Sequence, residues 1–259
     1  MISVVMATYN RADKIKRAIE SVLAQSYSDF EFIIINDAST DNTLGIINSY
    51  HDNRIRVISN EVNIGFVRSL NKGVGLARGE YIARIDDDDY WIDNDKLKKQ
   101  VDFLENNKEY VLVGCNIIKN NKKFYFPQSD FKIRKRMMIT SPFAHVAVMY
   151  SKNAFDRVRG YDVNLNLSQD VDLWMKLGKV GKMANLYFYG ANINTGADSR
   201  TERNATEHIL IKQKVRIRHR KDYPNFATSY FIGWVIYLIS FLPGQRKIRK
   251  FLRKIFIND

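Results

Sequence analysis

The first 85 residues alternate between short β-prone runs and amphipathic helical segments, and this alternation limits the fold more than any other feature. "ISVVMA" (2–7) precedes "ADKIKRAIESVLAQ", in which Ile15, Ala18, Ile19, Val22 and Leu23 share one helical face. "FEFIIIN" (30–36), a short helix "NTLGIINSYH", "RIRVISN" (54–60), a helix "GFVRSLNKGVGLA" (65–77) and "EYIARI" (80–85) follow in order. Connections this short imply βαβ crossovers, and so an α/β fold with a mainly parallel, Rossmann-like sheet and helices on both faces. Ligands of such sheets bind beyond the carboxyl ends of the strands. Polar clusters stand at three of those ends: "TYNR", "NDASTDNT" and "DDDD".

The last cluster, Asp86 to Asp89, crowds four carboxylates behind an apolar strand. Adjacent like charges repel, more strongly when partly desolvated. A solvated turn tolerates them; a divalent cation turns the repulsion into coordination by hard oxygen ligands. Because distant strand ends converge in space, the aspartates gain neighbours, which favours the second reading.

From about residue 95 the pattern is mixed. A helix "DKLKKQVDFLENN" leads to the apolar "YVLVGCNII", then "KKFYF", "AHVAVMY", a helical "SKNAFDRV", the turn "RGYD" and "SQDVDLWMKLGK". No linker rich in Gly, Pro or Ser divides the halves, so both are expected on one core. Cys115, the only cysteine, lies in an apolar run and reads as a packed thiol in a reducing compartment. The N-terminus lacks the charged and apolar regions of a signal peptide, which predicts a cytoplasmic location.

The net charge of +13 is uneven: residues 1–199 hold 27 Lys and Arg against 24 Asp and Glu, and residues 200–259 hold 14 against 4. A nearly neutral body argues against nucleic acid as a partner and assigns the basic character to the tail.

Four stretches together resemble the family 2 glycosyltransferases, inverting enzymes of GT-A fold: "SVVMATYNR", "IIINDASTDNT", "NIGFVRSLNKGVGLARGEYIARIDDDD" and "FAHVAVMYSKNAFDRVRGYD…LSQDVDLWMKL". The resemblance covers about residues 2–195. It implies a catalytic domain over 1–199, with a nucleotide-sugar-binding half (1–94) and an acceptor half (95–199), followed by a basic helical tail over 200–259. The implied reaction is metal-dependent, inverting transfer of one sugar from a nucleotide diphospho-sugar, with a uridine donor favoured. The acceptor would be a lipid-linked oligosaccharide of a bacterial surface polysaccharide. The Gln-X-X-Arg-Trp signature of processive synthases is absent.

By the same resemblance Asp88 is the ligand of Mn²⁺ or Mg²⁺, with Asp86 near the ribose and approaching the metal, and Asp87 helping to hold the nucleotide. Asp89 reads equally well as a capping or solvated residue. Thr8, Tyr9 and Arg11 belong to the loop that lines the base, and Asp37 is the acceptor for a uracil N–H, its alternative being an Asx turn ahead of Ser39 and Thr40. Arg84 and Asn71 are expected among the nucleotide-sugar-binding residues, Arg84 offsetting the aspartates unless it points to solvent. Asn71 matches the third helix, although Leu70 stands where many members carry arginine. Positive charge toward the phosphates then falls to Arg68, Lys72, or Arg200 and Arg203 in "NTGADSRTERN". The general base is expected at Asp170, in a Gln-Asp pair where the family has Glu-Asp. Asp172 is its rival, expected to face solvent or orient a neighbour. His145 reads as a packed histidine.

In the tail, "SYFIGWVIYLISFLP" (229–243) is apolar over about 15 residues, short of the ~20 that span a bilayer. In "GQRKIRKFLRKIF", Ile248, Phe251, Leu252, Ile255 and Phe256 form one face and Lys and Arg the other. This predicts a helix lying on an anionic membrane surface, on the inner face of the cell membrane. Packing on the core or on a second subunit, as a homodimer, is the alternative. Two competing functions remain at this level. A nucleotidyltransferase would want a glycine-rich, lysine-bearing phosphate loop, which "ATYNRAD" is not, and a non-catalytic membrane-associated nucleotide-sugar-binding module would have no need for Asp37, Asp86, Asp88 and Asp170 together.

Overall fold

The computed structural model describes residues 1–193 and 205–241. Nine strands form one sheet among these residues: β1 (Ile2–Thr8), β2 (Phe30–Asn36), β3 (Ile55–Ser59), β4 (Tyr81–Arg84), β5 (Tyr90–Trp91), β6 (Tyr110–Lys119), β7 (Lys122–Phe124), β8 (Met149–Ser151) and β9 (Lys182–Ile193). Their order is β3-β2-β1-β4-β8-β6-β9-β5, with β7 paired to β6. Pairings within β3-β2-β1-β4 are all parallel, as the strand–helix alternation predicts. Beyond β4 the sheet is mixed: β8 runs antiparallel to both β4 and β6, while β6 and β9 are parallel. The strands after residue 95 thus continue the sheet of the first 94 residues.

Helices α1 (Ile15–Leu23), α2 (Thr43–Asn48) and α3 (Phe66–Gly75) fall within the expected segments, as does α4 (Lys96–Asn106). The interior of the first two strands is split by parity. Val4 and Met6 of β1 join Phe32 and Ile34 of β2 under α1 and α4, whereas Val5, Ala7, Ile33 and Ile35 pack under α3. Successive side chains of a strand point to opposite faces, so a sheet covered on both faces needs both parities apolar. Gly79 sits where the chain enters β4, and a side chain there would collide with the Ser3 backbone at 2.5 Å.

The α3 face is completed by α5 (Asp130–Met137), α6 (Lys152–Arg157), α7 (Gln169–Leu177) and α8 (Ala205–Arg218), with Trp174 fully buried at its centre. Val215 of α8 and Tyr223 belong to this core, so α8 and the segment that follows it pack on the body. Helix α9 (Phe226–Ile239) then lies against α8, where Gln213 Nε2 donates to the Tyr230 carbonyl at 2.8 Å. No helix among the described residues is long and apolar enough to cross a membrane. The expected basic amphipathic helix after residue 244, and Arg200 and Arg203, lie outside the described residues.

Candidate active site

The strand order places a switch point between β1 and β4. From β1 the chain proceeds outward to β2 and β3, then returns to add β4 on the other side. Adjacent loops leave the sheet in opposite directions there, opening the crevice in which α/β folds hold ligands. Thr8 ends β1 on one side, and Asp86, Asp87 and Asp88 follow β4 on the other. Thr8 is buried against the Asp87 carboxylate, which its side chain helps keep charged, and the Tyr9 ring beside it is exposed.

The loops above β1 and β2 are interlocked. Asn10 adopts φ 53° and Ala38 φ 60°, left-handed conformations that cost side-chain-bearing residues on the order of 1–2 kcal/mol. Asn10 Oδ1 accepts from the Thr40 amide at 2.8 Å, and the Arg11 amide donates to Thr43 Oγ1 at 2.7 Å. Arg11 Nε in turn reaches Asp87 Oδ1 at 3.3 Å. Burial pushes the Asp87 carboxyl up to about 6, against the pull of Arg11.

Asp37 is buried and heavily engaged. Its Oδ1 accepts from Asn60 Nδ2 at 2.7 Å and the Ile64 amide at 2.9 Å, and its Oδ2 from the Gly65 amide at 2.9 Å. Gly65 at φ 90° turns that amide toward the carboxylate at the start of α3, where the helix dipole favours negative charge. The Asx turn in this loop is made by Asn36, which accepts from the Ser39 amide at 3.2 Å.

Arg84 differs from expectation. It is fully buried, neither solvent-facing nor open to a nucleotide, because its β4 position points between β1 and β8. Its guanidinium donates to the Val5 carbonyl, to Asp86 Oδ1 at 2.7 Å and to His145 Nε2 at 3.3 Å. Arg84 therefore holds Asp86 in place. The other ring nitrogen, His145 Nδ1, lies 3.5 Å from Asp86 Oδ1. Tyr161 Oη lies 2.9 Å from the same Nε2; burial pushes this phenol up to about 12, so it stays neutral. The sequence reading had no role for Tyr161, and His145 is packed as read but contacts Asp86. The available signal was a polar residue inside the apolar "FAHVAV", which must find partners when buried.

Two other positions do structural work. The Asn71 amide exchanges hydrogen bonds with the Tyr161 backbone at 2.9 and 3.0 Å, fixing the "GYD" turn on α3 rather than facing a nucleotide. Lys72 Nζ is engaged by Asn60 Oδ1 at 2.6 Å. Asp89 is buried, not solvated.

Burial and the neighbouring Asp86 both raise the Asp88 carboxyl, while Arg11 and Lys14 oppose them. Among the described residues no cluster of three or more His, Cys, Asp or Glu forms a ready-made cage. Two mutually repelling carboxylates at a partly solvated crevice suit a hard divalent cation that takes its remaining oxygens from phosphate and water.

Asp170 and Asp172 occupy the first turn of α7. Asp170 is half-buried and makes no hydrogen bond or ion pair with another described residue. Asp172, expected toward solvent, is instead fully buried, 2.8 Å from both Lys176 Nζ and Arg218 Nη1 and 3.0 Å from His219 Nε2. Burial alone would raise it, but the bonds from His219 and Lys176 hold it well below the usual carboxylate range.

Comparison with known proteins agrees with this geometry. The family model described as Glycosyl transferase family 2 matches residues 3–162. EpsE of Bacillus subtilis, named as a glycosyltransferase, is 33% identical over 196 residues, covering 70% of this chain and 67% of that one. The Escherichia coli UDP-Glc:alpha-D-GlcNAc-diphosphoundecaprenol beta-1,3-glucosyltransferase WfaP is 35% identical over 144 residues, 56% of this chain and 51% of its own length. The chain thus spans about half to two thirds of these relatives. The crystal structure of S. aureus TarS 1-349 in complex with UDP-GlcNAc superposes with a TM-score of 0.70 at 21% identity, over 93% of this chain and 73% of that one, showing a shared fold.

Proposed function

The chain belongs to glycosyl transferase family 2, and from that premise we propose an inverting, metal-dependent transfer of one sugar from a UDP-sugar to a lipid-linked saccharide of a bacterial surface polysaccharide. The observation that carries this reading is the pairing of a carboxylate-lined crevice at the β1/β4 switch point with an aspartate on α7, Asp170, that no described residue pairs with. The naming of WfaP for a UDP-glucose donor and a diphosphoundecaprenol acceptor supports the substrate classes, as does the UDP-GlcNAc complex of TarS.

Donor binding falls to residues of the first half. Tyr9 offers an exposed ring for the base, with Thr8 beside it at the end of β1. Asp37 keeps one free lone pair on Oδ2 for a uracil N–H. Arg11 and Asp87 border the same crevice. Asp88 and Asp86 would hold Mn²⁺ or Mg²⁺, which supplies Lewis acidity to the departing diphosphate when bound. Arg84 and His145 keep Asp86 aimed, and Asn71 keeps the "GYD" turn against α3.

Inversion needs one general base for the acceptor hydroxyl. Asp170 serves, since no cation among the described residues consumes it. Residues 1–94 then form the donor half and 95–199 the acceptor half. The tail from 200 provides a membrane-facing element: α9 exposes Phe231, Trp234 and Leu238, and residues 242–259 add six Lys and Arg against one Asp. Such a tail, with Phe241 also exposed just past the end of α9, would place the enzyme peripherally on the inner face of the membrane that carries its acceptor.

A thermal-shift screen of UDP-, GDP- and dTDP-sugars with and without Mn²⁺ tests the donor assignment, followed by NMR of the product's anomeric proton. A metal-dependent shift with a UDP-sugar and an inverted product is expected. A retained anomeric configuration, or no response to any nucleotide sugar, overturns the reading.

A further inference from the structure

Away from the crevice, the surface around β7, β9 and the start of α5 carries exposed aromatic rings. Tyr187 on β9 and Tyr125 just past β7 are 71% and 55% exposed, and Phe124 and Phe131 are 43% and 66% exposed. The rings are organised: Tyr125 and Tyr187 lie nearly parallel, 22° apart with centroids at 6.0 Å, and Tyr189 meets Tyr125 edge-on at 5.6 Å. The Asn185 amide donates to the Gln128 carbonyl at 3.1 Å and the Met183 amide to Asp130 Oδ1 at 2.9 Å. These bonds seat the segment after Tyr125, and the start of α5 with Phe131, along β9.

The same stretch holds the body's surplus of positive charge. Residues 119–136 contain seven Lys and Arg against one acid, Asp130, and Asp130 is paired with Arg134 at 2.6 Å. The rest of residues 1–199 carries 20 basic against 23 acidic residues. Cations and rings are interleaved: Lys123 Nζ lies 5.2 Å from the Tyr189 ring centroid and Lys135 Nζ 4.4 Å from that of Phe131.

From this arrangement we infer that the Tyr125–Tyr187 edge is an accessory binding surface for an acidic saccharide chain, one bearing uronate or phosphate groups. Flat, rigid rings with polar rims suit the apolar faces and hydroxyl edges of pyranoses. Lys122, Lys123, Lys132 and Lys135 supply the counter-charge, and a neutral glycan would have no use for it. A lipid surface is disfavoured because the rings, two tyrosines with Phe124 and Phe131, stand beside β7, β9 and α5 without the aliphatic anchors of an inserted helix. The choice of a saccharide rests on the proposed function; the site lies outside the donor crevice, and it would hold the acceptor chain beyond its reacting sugar.

The test is calorimetric titration of the full chain with a hyaluronan hexasaccharide and with maltohexaose, alongside UDP with Mn²⁺. The acidic hexasaccharide should bind and maltohexaose should bind far more weakly, with the difference shrinking as salt rises. Tyr125→Ala/Tyr187→Ala and, separately, Lys122→Gln/Lys123→Gln should each weaken the acidic ligand by about tenfold, while UDP affinity stays unchanged. All four side chains are exposed, so the fold should not be at risk. If UDP binds but hexasaccharide affinity ignores both variants, or both saccharides bind equally, the acidic-glycan surface is refuted while the donor reading stands. If the variants instead abolish self-association or vesicle binding, the occupant is a second copy or a membrane and the inference fails. Absence of UDP binding in the unmodified chain would refute the proposed function itself.

Discussion

Arg218 Nη1 on α8 lies 2.8 Å from Asp172 Oδ1 on α7, and the carboxylate it contacts is fully buried. Together with the contact of His219, this one ties α8 to the helix that carries Asp170. The rival carboxylate is thereby consumed as an anchor, and the two aspartates should fail in different ways when changed.

Asp170→Asn should keep UDP binding and the melting temperature while lowering turnover by on the order of 10²–10⁴, because an amide cannot take the acceptor's proton. Asp172→Asn should instead destabilise by about 3–5 kcal/mol, since it leaves Arg218, Lys176 and His219 without their buried partner. The folded-state pKa of Asp172 is depressed, so its contribution is present above the ordinary carboxylate pKa and lost as pH falls through the lower folded value. Stability in Asp172→Asn should therefore lack that strongly acidic step. Turnover, thermal melts and an acid titration of both variants check this; a dead but stable Asp172→Asn with an active Asp170→Asn would reverse the assignment.

Asp88→Ala should remove metal-dependent UDP binding without lowering stability. Burial and Asp86 both disfavour the Asp88 charge in the folded chain, so its loss relieves repulsion. Calorimetry with UDP, with and without Mn²⁺, reads the first effect and a thermal melt the second. UDP affinity that responds to Mn²⁺ as before would exclude Asp88 as a ligand.

Lys96 is a buried cation outside the site. It is 0% exposed, its Nζ donates to Gln100 Oε1 at 2.8 Å and lies 4.0 Å from the Trp91 ring centroid, and burial lowers it to about 8. A lysine with a depressed folded pKa costs stability below that value, and the cost fades as pH rises from about 8 toward its unfolded pKa of about 10.4. Lys96→Met should accordingly stabilise the chain by on the order of 1–3 kcal/mol at pH 7. The gain over the unmodified chain should shrink across that window in denaturant melts. A destabilised variant would mean that the Gln100 and Trp91 contacts outweigh the desolvation.

Deleting residues 242–259 should release the protein from anionic vesicles while leaving its melting temperature and UDP binding in place. The cut preserves α9, whose Tyr230 carbonyl accepts from Gln213. Each basic residue near an anionic surface contributes up to about 1 kcal/mol, screened by salt. Co-sedimentation with anionic and neutral vesicles is the measurement. Full-length protein that ignores anionic vesicles would leave the tail as a packing element only.

The strand–helix order up to residue 85 was legible because each signal is local. β-branched runs such as "FIII" and a helical face such as Ile15, Ala18, Ile19 and Val22 declare their period within one element. The aspartates after β4 could likewise be placed at a ligand-binding edge, since parallel topology dictates where loops emerge. Helix α5 was not legible, because "DFKIRKRM" has almost no apolar face. Nor was β9, whose tyrosines, asparagines and glycine lack a clean alternation.

What sequence could not decide was which partner each polar group would find. Asp170 and Asp172 sit about 200° apart around one helix, yet only the docking of α8 brings Arg218 and His219 to Asp172 beside its own helix's Lys176. Arg84 is one charged residue at a strand end, and its burial follows from β8 adding to β4 on its far side. Asn71 and Tyr161, 90 residues apart in the chain, share hydrogen bonds because α3 and the turn before α7 pack on the same face of the sheet. The sequence therefore determined the order of elements and the carboxylates that line the crevice, because local periodicity and covalent order carry that information. Only the tertiary structure decided which of those carboxylates stay free to act, because a charge is committed by whatever distant segment arrives beside it.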